Sequence, residues 1–118
     1  MTLRILFICS RNQWRSPTAE KLWRNVNGIL VRSAGTSPKA RRTVSEADIR
    51  WADVIFAMEP KHKQQLKQKF STLLAETTIQ VLNIPDEYGY MDPELIEMLQ
   101  DEVEAYLKSI QVGEEGCL

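Results

Sequence analysis

Residues 5–23 read ILFICSRNQWRSPTAEKLW, and the fold turns on them. Ile5, Leu6, Phe7 and Ile8 form a continuous apolar run, the pattern of a strand buried on both faces of a parallel sheet. Ser16-Pro17 reads as an N-cap followed by proline at the first helical position. Ala19, Leu22, Trp23 and Val26 then recur at helical spacing, which predicts a helix over 17–27. Between strand and helix lie Cys9 and Arg15, separated by five residues of mostly polar loop.

Working outward, the strand–helix alternation continues. "ILVRSA" (29–34) is a second strand that ends in the turn "AGTSP". A helix from about Ser45, with Glu46 and Asp48 in its first turn, leads to Val54–Ala57, a third buried strand. "EPKHKQQLKQKF" is helical, with Pro60 near its start and a largely solvated face on which His62 is expected at the surface. "IQVLNI" (79–84) is a fourth strand. From Asp92-Pro93 onward, Leu95, Ile96, Leu99, Val103, Tyr106, Leu107 and Ile110 trace one face of a long amphipathic helix. No repeat, low-complexity tract or linker interrupts the pattern. The expectation is therefore one α/β domain over 1–112 and a flexible tail over 113–118. It predicts a four-stranded parallel sheet with right-handed crossovers and helices on both faces. Ligands of such sheets bind beyond the carboxyl ends of the strands. The loops after Ile8, Met58 and Ile84 open there, so Cys9 and Asp86 can meet although 77 positions apart.

Bulk properties narrow the class. A chain of 118 residues, 43% hydrophobic and 26% charged, builds one globular core. No apolar run approaches the roughly 20 residues of a membrane span. The chain enters its first strand without an apolar h-region, so no secretory signal is expected. Two cysteines 108 positions apart make no disulfide framework, which fits a reducing, cytoplasmic setting. Charge is uneven: residues 1–69 hold fourteen Lys/Arg against five Asp/Glu, and residues 70–118 hold one against eleven. Either the halves fold against each other and partly cancel, or a positive field around the N-terminal half draws anionic ligands. "KARR" (39–42) and "KHKQQLKQK" (61–69) are the main contributors. Neither has the density or aromatic content of a nucleic-acid site.

A loop that leaves a strand and winds into a helix turns several backbone N–H groups inward, where the helix dipole adds positive charge. Such a nest suits a tetrahedral dianion, and the same N–H groups stabilise a cysteine thiolate at its start. Arg15 closes the loop and can grip two phosphoryl oxygens at once, which lysine cannot reproduce. Ser16 can donate its hydroxyl to the sulfur. Asn12 tolerates the left-handed backbone region and can brace the loop with side-chain hydrogen bonds. The pattern C-x5-R alone arises by chance in many proteins, and a free cysteine is commonly a small buried hydrophobe. The strand before the loop and the helix start after it favour phosphoryl transfer through a cysteinyl-phosphate.

With strand, C-x-x-N-x-x-R-S-P-x-A-E loop and first helix, this opening resembles that of the low-molecular-weight protein tyrosine phosphatases. "RSAGT" (32–36), "ADVIFAMEPKHKQQL" (52–66) and "IPDEYGY" (84–90) resemble that family's second strand and turn, its third strand and its acid loop. The resemblance implies a metal-independent phosphomonoesterase, nominally a tyrosine phosphatase, with Cys9 as nucleophile and Arg15 as phosphoryl ligand. Asp86 would be the general acid and then the general base. Ser10, Arg11, Asn12, Gln13, Trp14 and Ser16 would form the phosphate-binding loop, and Tyr88, with Tyr90, would flank an aryl ring. A phosphorylated substrate, such as a phosphotyrosine protein, is the partner and phosphate a product; no cofactor or metal is implied.

Several features depart from the family pattern. The chain is short between "AGTSP" and "KARRTVSEAD", Arg11 stands where glycine is typical, and Trp14 replaces a frequent second loop cysteine. The acid loop reads Asp86-Glu87-Tyr88, and Asp92, which precedes a proline, rivals Asp86 while also suiting the N-cap of the last helix. Two other functions stay open. A thiol-dependent arsenate reductase would need Cys117 to reach Cys9, and a phospho-ligand binding module would need no turnover.

Overall fold

The computed structural model describes residues 2–75 and 77–115. Strand β1 (Leu3–Cys9) is the axis of the sheet, with Ile5, Leu6, Phe7 and Ile8 fully buried. It pairs in parallel with β2 (Ile29–Gly35) on one side and β3 (Val54–Ala57) on the other, and β4 (Thr78–Val81) completes the order β2-β1-β3-β4. The chain leaves β1 toward one side and crosses over it to reach β3, so the crevice at the carboxyl ends of β1 and β3 is where the connections diverge. The four-stranded parallel sheet expected from the sequence is therefore present.

Helices α1 (Arg15–Trp23) and α4 (Pro93–Glu115) cover one face, and α2 (Glu46–Trp51) and α3 (Pro60–Phe70) the other. Alternate residues of the same strands feed two cores, as the two-residue strand period requires. Ile5, Phe7, Phe56 and Met58 pack with Trp23, Leu95, Leu99 and Val103 on the first face. Leu6, Ile8 and Ile55 pack with Ile49, Leu66 and Leu74 on the second. Ser45 caps α2 through reciprocal bonds with Asp48. Burial alone would raise the Asp48 carboxyl; bonds from Arg42 and from Ser45 outweigh it and leave the group below its ordinary range.

Four boundaries differ from the sequence reading. Helix α1 starts at Arg15, so Ser16 lies in its first turn and is not the N-cap; Trp14 takes that place without a side-chain capping bond. Ser16 gives its hydroxyl to the site described below, which removes it from capping. The helix ends at Trp23, leaving Val26 beyond it and 44% exposed. Regular pairing of β4 stops at Val81, although the N–H groups of Leu82 and Ile84 still donate to Ala57 and Met58 carbonyls. Asn83, in the left-handed region at φ 56°, interrupts that run. Helix α4 continues through 113–115, which the sequence assigns to the tail; residues 116–118, Cys117 among them, lie outside the described residues. Among the described residues no helix is long and apolar enough to cross a membrane.

Candidate active site

The loop from Cys9 to Arg15 is shaped from behind. The carbonyls of Cys9, Ser10 and Arg11 accept backbone N–H bonds from Thr36, Ser37 and Arg41, each at 3.0 Å. Arg41 Nε donates to the Asn12 carbonyl at 3.0 Å. With its carbonyls turned outward, the loop presents N–H groups inward, the geometry of an anion nest. Asn12 makes the turn possible by adopting φ 55°. Arg11, which stands where glycine is typical, is not among the positive-φ residues. Gly35, at the end of β2, has to be glycine for reasons of space. A Cβ there would stand 2.5 Å from the Ser10 carbonyl oxygen and 2.6 Å from Ala40 Cβ.

Beneath the loop the hydrogen bonds have a definite direction. Asn12 N–H donates to Cys9 Sγ at 3.2 Å, and Ser16 Oγ stands 3.0 Å from the same sulfur. Asn12 Nδ2 spends its two protons on Ser16 Oγ and Ser33 Oγ, at 2.8 and 2.9 Å. Ser33 in turn donates to the Glu20 carboxylate. Ser16 Oγ therefore accepts from the amide, and its own proton is free to point at Cys9. This orientation leaves Asn12 Oδ1 buried without a partner among the described residues. Turning the amide over would instead leave two donors unmet, since the Ser33 proton is committed to Glu20.

Arg15 is 2% exposed. Its Nη1 donates to Glu59 Oε1 at 2.6 Å and to the Ile84 carbonyl at 2.8 Å. The opposite guanidinium edge, Nε and Nη2, makes no hydrogen bond among the described residues and has the shape to take two oxygens of an anion. Asp86 Oδ1 lies 3.7 Å from Nε, an ion-pair distance too long for a hydrogen bond. Cys9, Arg11, Gln13, Trp14, Arg15 and Asp86 line one small pocket. Asp92 is occupied elsewhere: its carboxylate accepts from Glu94 N–H at 2.9 Å at the start of α4. Tyr88 packs against the α1/α4 core and is not among the residues lining the pocket, and Tyr90 is half exposed beside a neighbouring cleft.

His62 corrects the sequence reading. It is fully buried, because α3 turns its His62/Leu66 face toward the sheet. Nδ1 accepts from Glu59 N–H at 3.0 Å, which puts the ring proton on Nε2, 2.8 Å from Ser10 Oγ. Burial, then the Arg15 charge, lowers its pKa from 6.5 to about 4, so the ring is neutral at physiological pH. Glu59 is also lowered: the Arg15 hydrogen bond and charge outweigh its burial. Glu59, His62, Ser33 and Glu20 thus join the site, none of them assigned a role from sequence. The i, i+4 spacing of His62 and Leu66 inside a Lys/Gln-rich helix was the available signal for the histidine. Of the basic run at 39–42, Arg42 is paired with Asp48 and Arg41 braces the loop.

Sheet order, loop and helix arrangement together define the fold of the low-molecular-weight protein tyrosine phosphatases. Among solved structures, the chain is similar to the YwlE arginine phosphatase from Geobacillus stearothermophilus. The identity is 24%, the match covers 94% of this chain and 96% of that one, and the TM-score is 0.71. It is similar to DARP, a Drosophila arginine phosphatase, at 23% identity over 92% and 98% of the two chains, with a TM-score of 0.73. SP-PTP, the low molecular weight protein tyrosine phosphatase from Streptococcus pyogenes, is 18% identical over 92% and 93%, with a TM-score of 0.71. Neither a scan against family models nor a search of curated proteins returns a match.

Proposed function

We propose that the protein is a cysteine-dependent phosphatase that works through a cysteinyl-phosphate on Cys9. The observation that carries this reading is the oriented set around one sulfur: the Asn12 N–H, the Ser16 hydroxyl and, across the same pocket, the open edge of Arg15 with Asp86. In the first step Cys9 Sγ forms a bond to phosphorus while the bond to the leaving oxygen breaks. Arg15 binds the equatorial oxygens, and Asp86 gives its proton to the leaving oxygen. In the second step Asp86 takes a proton from water, the water oxygen bonds to phosphorus, and the sulfur leaves as a thiolate that Ser16 and Asn12 stabilise. Each side chain required is this chain's own, and no step calls on a metal.

The substrate proposed first is an aryl phosphomonoester such as phosphotyrosine, with exposed Trp14 at the pocket rim as the apolar wall. The similarity to two arginine phosphatases favours a second reading, a phosphoarginine substrate, whose leaving nitrogen would take the same Asp86 proton. Hydrolysis of p-nitrophenyl phosphate without added metal, for wild type and Cys9→Ser, tests the chemistry. Activity that peaks at mildly acidic pH and vanishes in the variant supports it; no activity above the variant in folded wild type rejects it. Competition between phosphotyrosyl and phosphoarginyl peptides then separates the two substrates.

A further inference from the structure

A cleft of about 380 Å³ opens beside the catalytic pocket and shares Gln13 with it. Lys21 enters it from α1, Arg24 from the residue just past the end of that helix, and Arg41 from the loop between β2 and α2. Arg41 is held in place by its backbone N–H on the Arg11 carbonyl and its Nε on the Asn12 carbonyl, both at 3.0 Å. The short β2–α2 connection is what lays it against the phosphate-binding loop. Lys21 Nζ stands 5.9 Å from the centroid of Tyr90, which forms the outer wall. Glu20 is the one carboxylate on the lining, and it is engaged by the Ser33 hydroxyl.

The distribution of unpaired arginines is the second observation. Of the eight arginines, Arg4, Arg15, Arg32, Arg42 and Arg50 each form an ion pair. Arg11, Arg24 and Arg41 have no carboxylate within ion-pair distance among the described residues, and all three line either the catalytic pocket or this cleft. Basic residues near the end of α1 suit its helix dipole, which accounts for Lys21 and Arg24 alone. That explanation does not reach Arg41, which converges on the same space from another element.

The geometry points to a second anion subsite: the cleft receives a second phosphate group of the substrate whose scissile phosphoryl group lies over Cys9. The proposal rests on the phosphatase reading and narrows its substrate to a phosphomonoester that carries another phosphate. Two guanidinium groups and an ammonium facing one occupied carboxylate match a dianion in charge, and guanidinium forks match its oxygens in shape.

The test is calorimetric binding of alkane-1,n-bisphosphonates of increasing spacer length, beside the matching alkylphosphonates, to the full chain and to Lys21→Gln/Arg24→Gln. Both substituted side chains are exposed, so the fold is not at risk. One spacer length should bind wild type about tenfold or more tightly than its monophosphonate, and the double variant should lose most of that ratio. No gain at any length, or a gain that survives in the variant, overturns the subsite. An equal gain with an ω-carboxyalkylphosphonate overturns the assignment to phosphate. The binding ratio does not depend on turnover, so failure of the phosphatase reading would show separately, as absent p-nitrophenyl phosphate hydrolysis.

Discussion

The Cys9–Arg15 loop and the segment carrying Asp86 face each other across one pocket and are built in opposite ways. Asn12, Arg15 and Ser16 are buried, and each is tied by two or more hydrogen bonds. Asp86 is 51% exposed, and a 3.7 Å ion pair with Arg15 is its contact to the site. Anchors for the acid segment stand at its ends: the Ile84 carbonyl on Arg15, and Met91 N–H on Thr18 Oγ1 at 2.9 Å. A nucleophile and its anion ligand gain from fixed geometry, because donors already in place need no reorganisation as charge develops. A group that must reach a leaving oxygen and later a water needs room to move. The contrast separates positions where any change is felt from positions where only proton transfer is.

Arg15→Lys should break the rigid side hardest. Lysine loses the fork on the phosphoryl group and cannot serve Glu59, Ile84 and the substrate together. A loss of kcat/KM of roughly 10³-fold or more is expected, since a charge-assisted bidentate contact and a preorganised donor go together. Retention within tenfold would mean that the buried guanidinium is structural only.

On the open side, Asp86→Asn should lower kcat by about 10²- to 10⁴-fold for poor leaving groups, with folding and KM little changed. The effect should shrink for leaving groups that depart without a proton. Asp92→Ala should cost about 1 kcal/mol of stability, as loss of an N-cap does, and leave kcat near wild type. The reverse pattern would move the acid to Asp92.

Gly35→Ala tests the packing behind the loop. Because the new Cβ would meet backbone at 2.5 Å, the Ser10 carbonyl has to shift. A loss of about 1–3 kcal/mol in stability is expected, as for overpacking elsewhere, with a fall in kcat that Ala at an exposed site does not produce. Equal stability and activity would show that the loop yields without cost.

The last effect is on pH dependence. With His62 at about 4 in the fold against 6.5 ordinarily, the unfolded chain binds the extra proton between those values. Stability should therefore fall as pH drops from 6.5 toward 4, and denaturant midpoints for His62→Gln should fall less steeply over that window. The lowered Asp48 carboxyl acts in a different range: its contribution is present above its ordinary value of 3.8 and is lost only below it. Parallel midpoints for wild type and His62→Gln would place the acid sensitivity elsewhere.

The part of this arrangement legible in the sequence is the part that rests on local pattern. Four apolar residues in a row marked β1, and Val54–Ala57 marked β3 to the residue, because buried parallel strands leave little choice of composition. Cys9, Asn12, Arg15 and Ser16 lie within eight consecutive positions, so their association is a local event. The start of α1 was misread because Ser16-Pro17 has the chemistry of a cap, while the buried sulfur and Asn12 amide compete for the same hydroxyl. His62 was misread because polar neighbours on α3 describe the solvent side of that helix and say nothing of the side facing the sheet. Glu59 and Ser33 meet Arg15 and Asn12 only through the parallel register, at sequence separations of 44 and 21. Nothing in either local segment announces such contacts.

The central claim is that Cys9 carries the phosphoryl group. Mixing enzyme with p-nitrophenyl phosphate, quenching in acid within the first turnovers and reading the intact mass and the modified peptide tests it directly. Phosphate on Cys9, more abundant in Asp86→Asn if hydrolysis of the intermediate is slowed, is the predicted result. Sustained turnover with Cys9 unmodified in both proteins, and retained by Cys9→Ser, would contradict the account.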